Sequence, residues 1–176
     1  RMRDYESAFL WLADAAIMHC CYNTTEPSVG LKLNEERTTL KCYMGDTGLL
    51  ISHAFDTRGI VSQELYQKLM FGKLEVNEGM LIENMVAQML VAGGHKLFFY
   101  SRYDEKNADN RMEIDFLVQK PTITSRHNIS PIEVKSSTRY TLTSINKYIK
   151  KYGNYLGTPY VLHSADLRVE NGIVFL

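Results

Sequence analysis

The sequence has little of what marks several protein classes. Of its 176 residues only 4 are proline and 11 glycine, too few for a low-complexity or collagen-like chain. Its three cysteines, Cys20, Cys21 and Cys42, are odd in number and two are adjacent. That is a poor disulfide framework, and a reducing, cytoplasmic setting fits it best. No apolar run reaches the roughly 18 residues that a membrane span needs, and no signal-peptide pattern opens the chain. Neither sign of charge is in excess, since 20 Lys and Arg balance 20 Asp and Glu. This excludes polyanion binding driven by overall charge and leaves room for a local basic patch.

What is present is ordinary globular material. The 45% hydrophobic content and the length correspond to one domain or two small ones. The chain opens at Arg1 with a helix under way by Tyr5, as expected of a piece of something longer. Phe9, Leu12, Ala13, Ala16 and Ile17 repeat at helical spacing and predict an amphipathic helix over 5–18, with Asp4 as N-cap. Leu31/Leu33 and Leu40/Cys42/Met44 alternate around the polar stretch Asn34–Arg37, which predicts a β-hairpin. A second helix over Ser62–Phe71 would close at Gly72. Helix, hairpin and helix predict a small winged-helix-like part at residues 1–72.

From residue 73 the texture changes. Met80–Ala92 is apolar almost all round and predicts a buried helix, with Asn77 as N-cap and Gly93-Gly94 as its stop. Strands are expected at 96–102, 111–119 and 129–136, then a helix at 142–152. Strands at 159–163 and 172–176 close the chain, the last entered through Asn171-Gly172. The order predicts an α/β (α+β) fold, a mixed sheet flanked by helices over residues 73–176. Asp104–Asn110 is polar enough for a mobile loop.

Polar residues inside these apolar segments carry the chemistry. Glu83 falls in the middle of the buried helix, where a lone carboxylate costs several kcal/mol unless paired, neutralised or metal-bound. Strand 111–119 alternates, with Met112, Ile114, Phe116 and Val118 on one face and Glu113 and Asp115 on the other. Strand 129–136 sets Ile132 and Val134 against Glu133 and Lys135. If the two strands pair, Asp115, Glu133 and Lys135 share a face. Asp115 and Glu133 would then hold a hard divalent cation such as Mg²⁺, while Lys135 steadies a water or a phosphoryl transition state. Glu83 would bind or tune the metal. The plainer reading is that these are solvated cross-strand charges.

Downstream, Arg139, Lys147, Lys150 and Lys151 are interleaved with Tyr140, Tyr148 and Tyr152 and no acidic residue. Such a stripe could track a phosphate backbone with tyrosines as stacking partners, or be a solvated helix face. His19, Cys20, Cys21 and Cys42 lack zinc-ligand spacing and are expected to pack in the core. His53, His95, His127 and His163 show no ligand spacing, and Ser136-Ser137 has no base nearby in sequence for a nucleophile.

The order Glu83, Asp115, Glu133-x-Lys135 resembles the PD-(D/E)XK nuclease motif. More closely, Asp46-Thr47-Gly48-Leu49-Leu50, Ile82-Glu83-Asn84, Tyr100-x-Arg102, Glu113-Ile114-Asp115-Phe116 and Ile132-Glu133-Val134-Lys135-Ser136-Ser137 are similar to a domain of unknown function that forms the C-terminal part of many bacterial and archaeal AAA-type ATPases. The resemblance covers nearly the whole chain. It implies a restriction-endonuclease-like mixed sheet, with Glu83, Asp115, Glu133 and Lys135 as the catalytic set of a Mg²⁺-dependent phosphodiesterase acting on nucleic acid, DNA or RNA. Its alternative is a catalytically inactive module that couples the ATPase to DNA or to a protein partner. ATP would bind only through an N-terminal P-loop module, and no G-x-x-x-x-G-K-[ST] occurs here; Gly93-Gly94-His95-Lys96 sits at a helix-to-strand turn instead. One departure is the long loop Tyr103–Arg111.

Overall fold

A computed structural model describes residues 5–27, 30–55, 78–120 and 127–176. The expected caps Asp4 and Asn77 and the expected helix Ser62–Phe71 with its stop Gly72 lie outside the described residues.

Helix α1 spans Glu6–Asp14 and strand β1 Met18–Thr24, so the helix expected over 5–18 stops early. Ala16 adopts φ 56°. The N–H of Ala16 donates to the Ala13 carbonyl, and that of Ile17 to the Leu12 carbonyl, each at 3.0 Å. This is a Schellman stop built on alanine rather than glycine. The turn packs against Gly45, where a Cβ would lie 2.1 Å from the Ala16 carbonyl oxygen, so only glycine fits there.

The expected hairpin is replaced by a different pairing. Leu31–Asn34 is a 3-10 turn with Leu31 buried, and β2 runs Glu35–Met44 antiparallel to β1. The polar stretch read as a turn therefore lies at the start of β2, where Asn23 Nδ2 donates to Glu36 Oε2 at 2.8 Å. Asp46 then caps helix α2, Thr47–Phe55, by accepting from Leu49 N–H at 2.9 Å.

Helix α3 spans Glu78–Ala92 and is followed by β3, Phe98–Arg102, β4, Met112–Gln119, and β5, Ile129–Val134. Helix α4 covers Thr143–Tyr152, and β6 Tyr160–Leu162, β7 Arg168–Glu170 and β8 Ile173–Phe175 follow. The β7–β8 hairpin turns on Asn171 and Gly172, both with positive φ, as a tight two-residue hairpin requires. Among the described residues eight strands form one mixed sheet in the order β2-β1-β3-β4-β5-β6-β8-β7. The chain is therefore α/β, with a large mixed sheet flanked by helices. β1 joins β3 in parallel, so the strands expected to form a separate wing are continuous with that sheet.

Among the described residues two cores lie against the sheet. One gathers Tyr100, Met112, Ile114 and Leu117 with Ile145 and Tyr148 of α4. The other gathers Phe99, Phe116, Ile132 and Val134 with Val86 and Ala87 of α3. Ile114 and Phe116 thus belong to different cores, contrary to strict alternation. Between Phe98↔Leu117 and Tyr100↔Ile114 two steps of β3 face three of β4, a bulge that resets the parity at Asp115–Phe116. Helix α3 is also less enclosed than its composition suggests, since Met80, Met85 and Met89 are 42%, 52% and 71% exposed. It covers one side of a sheet, so its outer side meets solvent. Its polar residue Asn84 is the best tied: it accepts from Met44 N–H at 2.7 Å and donates to the Met44 carbonyl at 3.2 Å and Thr47 Oγ1 at 3.1 Å.

Candidate active site

β4 and β5 are antiparallel neighbours with Phe116 opposite Ile132 and Leu117 opposite Pro131. The paired register ends at Phe116 and Ile132, just before Asp115 and Glu133. The two strands are tied there, because Val134 N–H donates to Asp115 Oδ2 at 2.8 Å. Glu133 is buried, and its Oε1 accepts from Lys135 Nζ at 2.5 Å. Its second oxygen, Oε2, is buried without a hydrogen-bond partner, an expensive condition for a carboxylate.

Glu83 reaches the same neighbourhood from α3, with Oε2 accepting from Tyr43 OH at 3.1 Å. A residue that the sequence did not single out connects the set. Lys41 of β2 carries its ammonium 2.6 Å from Glu113 Oε1, 3.8 Å from Asp115 Oδ1 and 3.9 Å from Glu83 Oε2, with the Phe99 ring 5.3 Å below it. Lys41 and Tyr43 share period-2 parity in β2, the only hint in the sequence; which other elements that parity faces depends on the strand order. Glu83 and Asp115 thus meet around Lys41, while Glu133 and Lys135 join through the Asp115–Val134 tie. Among the described residues no three His, Cys, Asp or Glu side chains converge in a metal-holding group.

Burial raises the pKa values of Glu83, Asp115 and Glu133, and neighbouring carboxylates add to this: Asp115 acts on Glu83 and Glu133, and Glu113 on Glu83 and Asp115. The Lys41 and Lys135 ammonium groups, the Val134 N–H and the Tyr43 hydroxyl pull part of the rise back. For Lys41 burial acts downward, but the hydrogen bond and charge of Glu113, with Asp115 and Glu83, outweigh it and raise the pKa.

The sign of the resulting pH dependence follows. Carboxylates with raised folded pKa values bind protons more readily in the folded chain than in the unfolded one. Stability should therefore fall as pH climbs from the ordinary values of 3.8 for Asp and 4.5 for Glu through the raised ones. Asp115→Asn keeps an oxygen for the Val134 N–H and should flatten that decline. Denaturation midpoints of both proteins across this window check it, and parallel curves would remove Asp115 from the effect.

The basic stripe is partly engaged. Lys147 Nζ donates to the Ala108 carbonyl at 2.7 Å and Lys151 Nζ to Asn110 Oδ1 at 3.2 Å; Arg139 and Lys150 are exposed. The expected stacking role is closed to Tyr148. Tyr148 is fully buried, and the Tyr152 hydroxyl is hydrogen-bonded to that of Tyr100 at 2.8 Å. An amphipathic helix must bury one stripe, and in α4 that stripe is the aromatic one. The loop expected to be mobile is knitted together, with Asp104 accepting from Lys106 N–H, Asn107 N–H and Asn110 Nδ2. Cys21 is buried, Cys20 half-buried and Cys42 exposed, all as free thiols.

With this geometry in view, the comparisons supply a class. A family model described as a domain of unknown function (DUF4143) matches residues 78–175, from the first residue of α3 to the end of β8. That is more than half of the sequence, and the chain belongs to this family. No curated protein and no solved structure matches it. Among the described residues no helix is long and apolar enough to cross a membrane.

Proposed function

We propose that this chain is the C-terminal, nuclease-like part of a cytoplasmic AAA-type ATPase, and that Asp115, Glu133 and Lys135 form a divalent-cation-assisted phosphodiesterase centre acting on DNA. The observation that carries the reading is Glu133 Oε2, a buried carboxylate oxygen without a partner, on the residue next to Val134, whose N–H donates to Asp115. A Mg²⁺-class ion fits such a pair, because it takes only one or two carboxylates and keeps several waters. Asp115 and Glu133 would hold it, and when bound it would polarise a phosphoryl oxygen and acidify a water. The remaining work belongs to the chain. Lys135, steadied by Glu133, lines an open cleft of about 630 Å³ with Ser136, Ser137 and Thr138. There its ammonium can orient the attacking water and meet charge that develops on phosphoryl oxygens. Glu83 acts through Tyr43 and Lys41, tuning the charge around Asp115.

A second reading is favoured by Lys41. An ammonium already among Glu83, Asp115 and Glu113 neutralises them without an ion, which suits a module that binds DNA or a protein partner and cuts nothing. Melting curves separate the two. Millimolar Mg²⁺ should stabilise the wild type, by about 2.7 kcal/mol at 100 times the dissociation constant. Asp115→Asn should lose that response while remaining as stable as the metal-free wild type, or slightly more so. A wild type that melts identically in Mg²⁺ and in a chelator overturns the phosphodiesterase reading and leaves the binding module.

A further inference from the structure

The Gly93-Gly94-His95-Lys96 turn has no part in the site described above. It forms one wall of a pocket of about 340 Å³, whose other walls are Lys32 of the 3-10 turn before β2 and Gln119 and Lys120 at the end of β4. Three stretches far apart in sequence thus bring three lysines and a histidine to one concavity, and among the described residues no carboxylate lines it. Among the described residues none of the three lysines has an ion-pair or hydrogen-bond partner for its side chain. In a chain whose 20 basic residues are matched by 20 acidic ones, this pocket is locally uncompensated among the described residues. Like charges gathered without a counterion repel one another, and a ligand anion relieves that repulsion.

We infer that this pocket binds a phosphate-bearing anion. Its volume lies at the lower end of small-ligand sites, which run from roughly 300 Å³. The mode of recognition is also constrained. The N–H groups of Gly93, Gly94 and His95 already donate to the Met89, Val91 and Leu90 carbonyls, so the turn offers no backbone cradle of the P-loop kind. Contact comes from the ammonium groups of Lys32, Lys96 and Lys120, which act as point charges. The carboxamide of Gln119 is held in place because its oxygen accepts from Leu31 N–H at 3.3 Å. The anion's source is either a nucleic-acid strand or a free polyphosphate, and the chemistry of the pocket is the same for both. The inference does not rest on the Asp115–Glu133 reading, because different residues carry it and no metal is involved.

The test uses the triple variant Lys32→Gln/Lys96→Gln/Lys120→Gln, in chelator so that the carboxylate centre does not contribute. All three side chains are exposed, and circular dichroism with the Lys96→Gln/Lys120→Gln double variant guards against a folding artefact. Inorganic pyrophosphate is titrated by thermal shift, and a fluorescent single-stranded oligonucleotide by anisotropy across salt concentrations. A pyrophosphate-induced rise in melting temperature that the variant loses supports the pocket. If the log–log salt slope for the oligonucleotide also falls by about 2, at roughly 0.7 per lost phosphate contact, the strand is the source. Loss of the pyrophosphate response with an unchanged slope assigns the pocket to a free polyphosphate, and a lower slope alone assigns it to the strand. If wild type and variant give the same shifts and slopes, the inference is overturned, and Lys96 is then only a cation near the α3 C-terminus.

Discussion

Alanine at Phe116 is expected to lower the unfolding free energy by about 3–5 kcal/mol, the usual range for emptying a buried aromatic site. Phe116 is 0% exposed, lies opposite Ile132, and tilts against Tyr43 with ring centroids 5.3 Å apart. It packs in the core under α3 beside Val86, Ala87 and Phe99, where the surrounding helix and sheet leave little room for collapse. Phe116→Leu should cost much less, below about 1.5 kcal/mol, because most of the volume is kept. Denaturant titration measures both. A loss under 1 kcal/mol for the alanine variant would mean that the side chain does not occupy this core and that the β3–β4 bulge is placed wrongly.

Lys135→Ala should reduce DNA cleavage by about 10²–10³-fold, the scale set by removal of one group that meets developing charge in other enzymes. It should leave Mg²⁺-dependent stabilisation in place, because the ion would be held by Asp115 and Glu133. Asp115→Asn should lose both. This split separates a residue that serves the water and the phosphate from one that holds the ion. Nicking of a supercoiled plasmid in Mg²⁺ gives the first readout and melting curves give the second. Undiminished cleavage by the lysine variant would remove Lys135 from the chemistry.

The strands and helices of the C-terminal part were largely legible because their signals are local. The period-2 runs Met112–Gln119 and Ile129–Val134, the helical periodicity before Gly93-Gly94, and the Asn171-Gly172 turn each lie within about a dozen residues. The N-terminal part was misread where the local signal was weak or pointed elsewhere. Ala16 stops α1 in a conformation usually taken by glycine, so nothing in the sequence marked the stop. Leu31 and Leu33 alternate like a strand but form a 3-10 turn with Leu31 buried in the core under α4. Helix α2 was missed although Asp46 is an ordinary cap, because its nine residues give little room for a period.

The sequence by itself determined which side chains carry charge in apolar surroundings: Glu83, Asp115, Glu133 and Lys135 stood out because desolvation makes such residues costly wherever the chain folds. It also placed two strands there, at 111–119 and 129–136, but the face that each β4 residue takes was not its to decide. Tertiary structure alone decided what those groups meet. The bulge between β3 and β4 sends Ile114 and Phe116 to different cores. The order β2-β1-β3-β4 brings Lys41 within reach of Glu113, Asp115 and Glu83, although more than 40 residues separate it from each of them. Long-range pairing of this kind depends on strand order and bulge placement, which short-range periodicity does not encode.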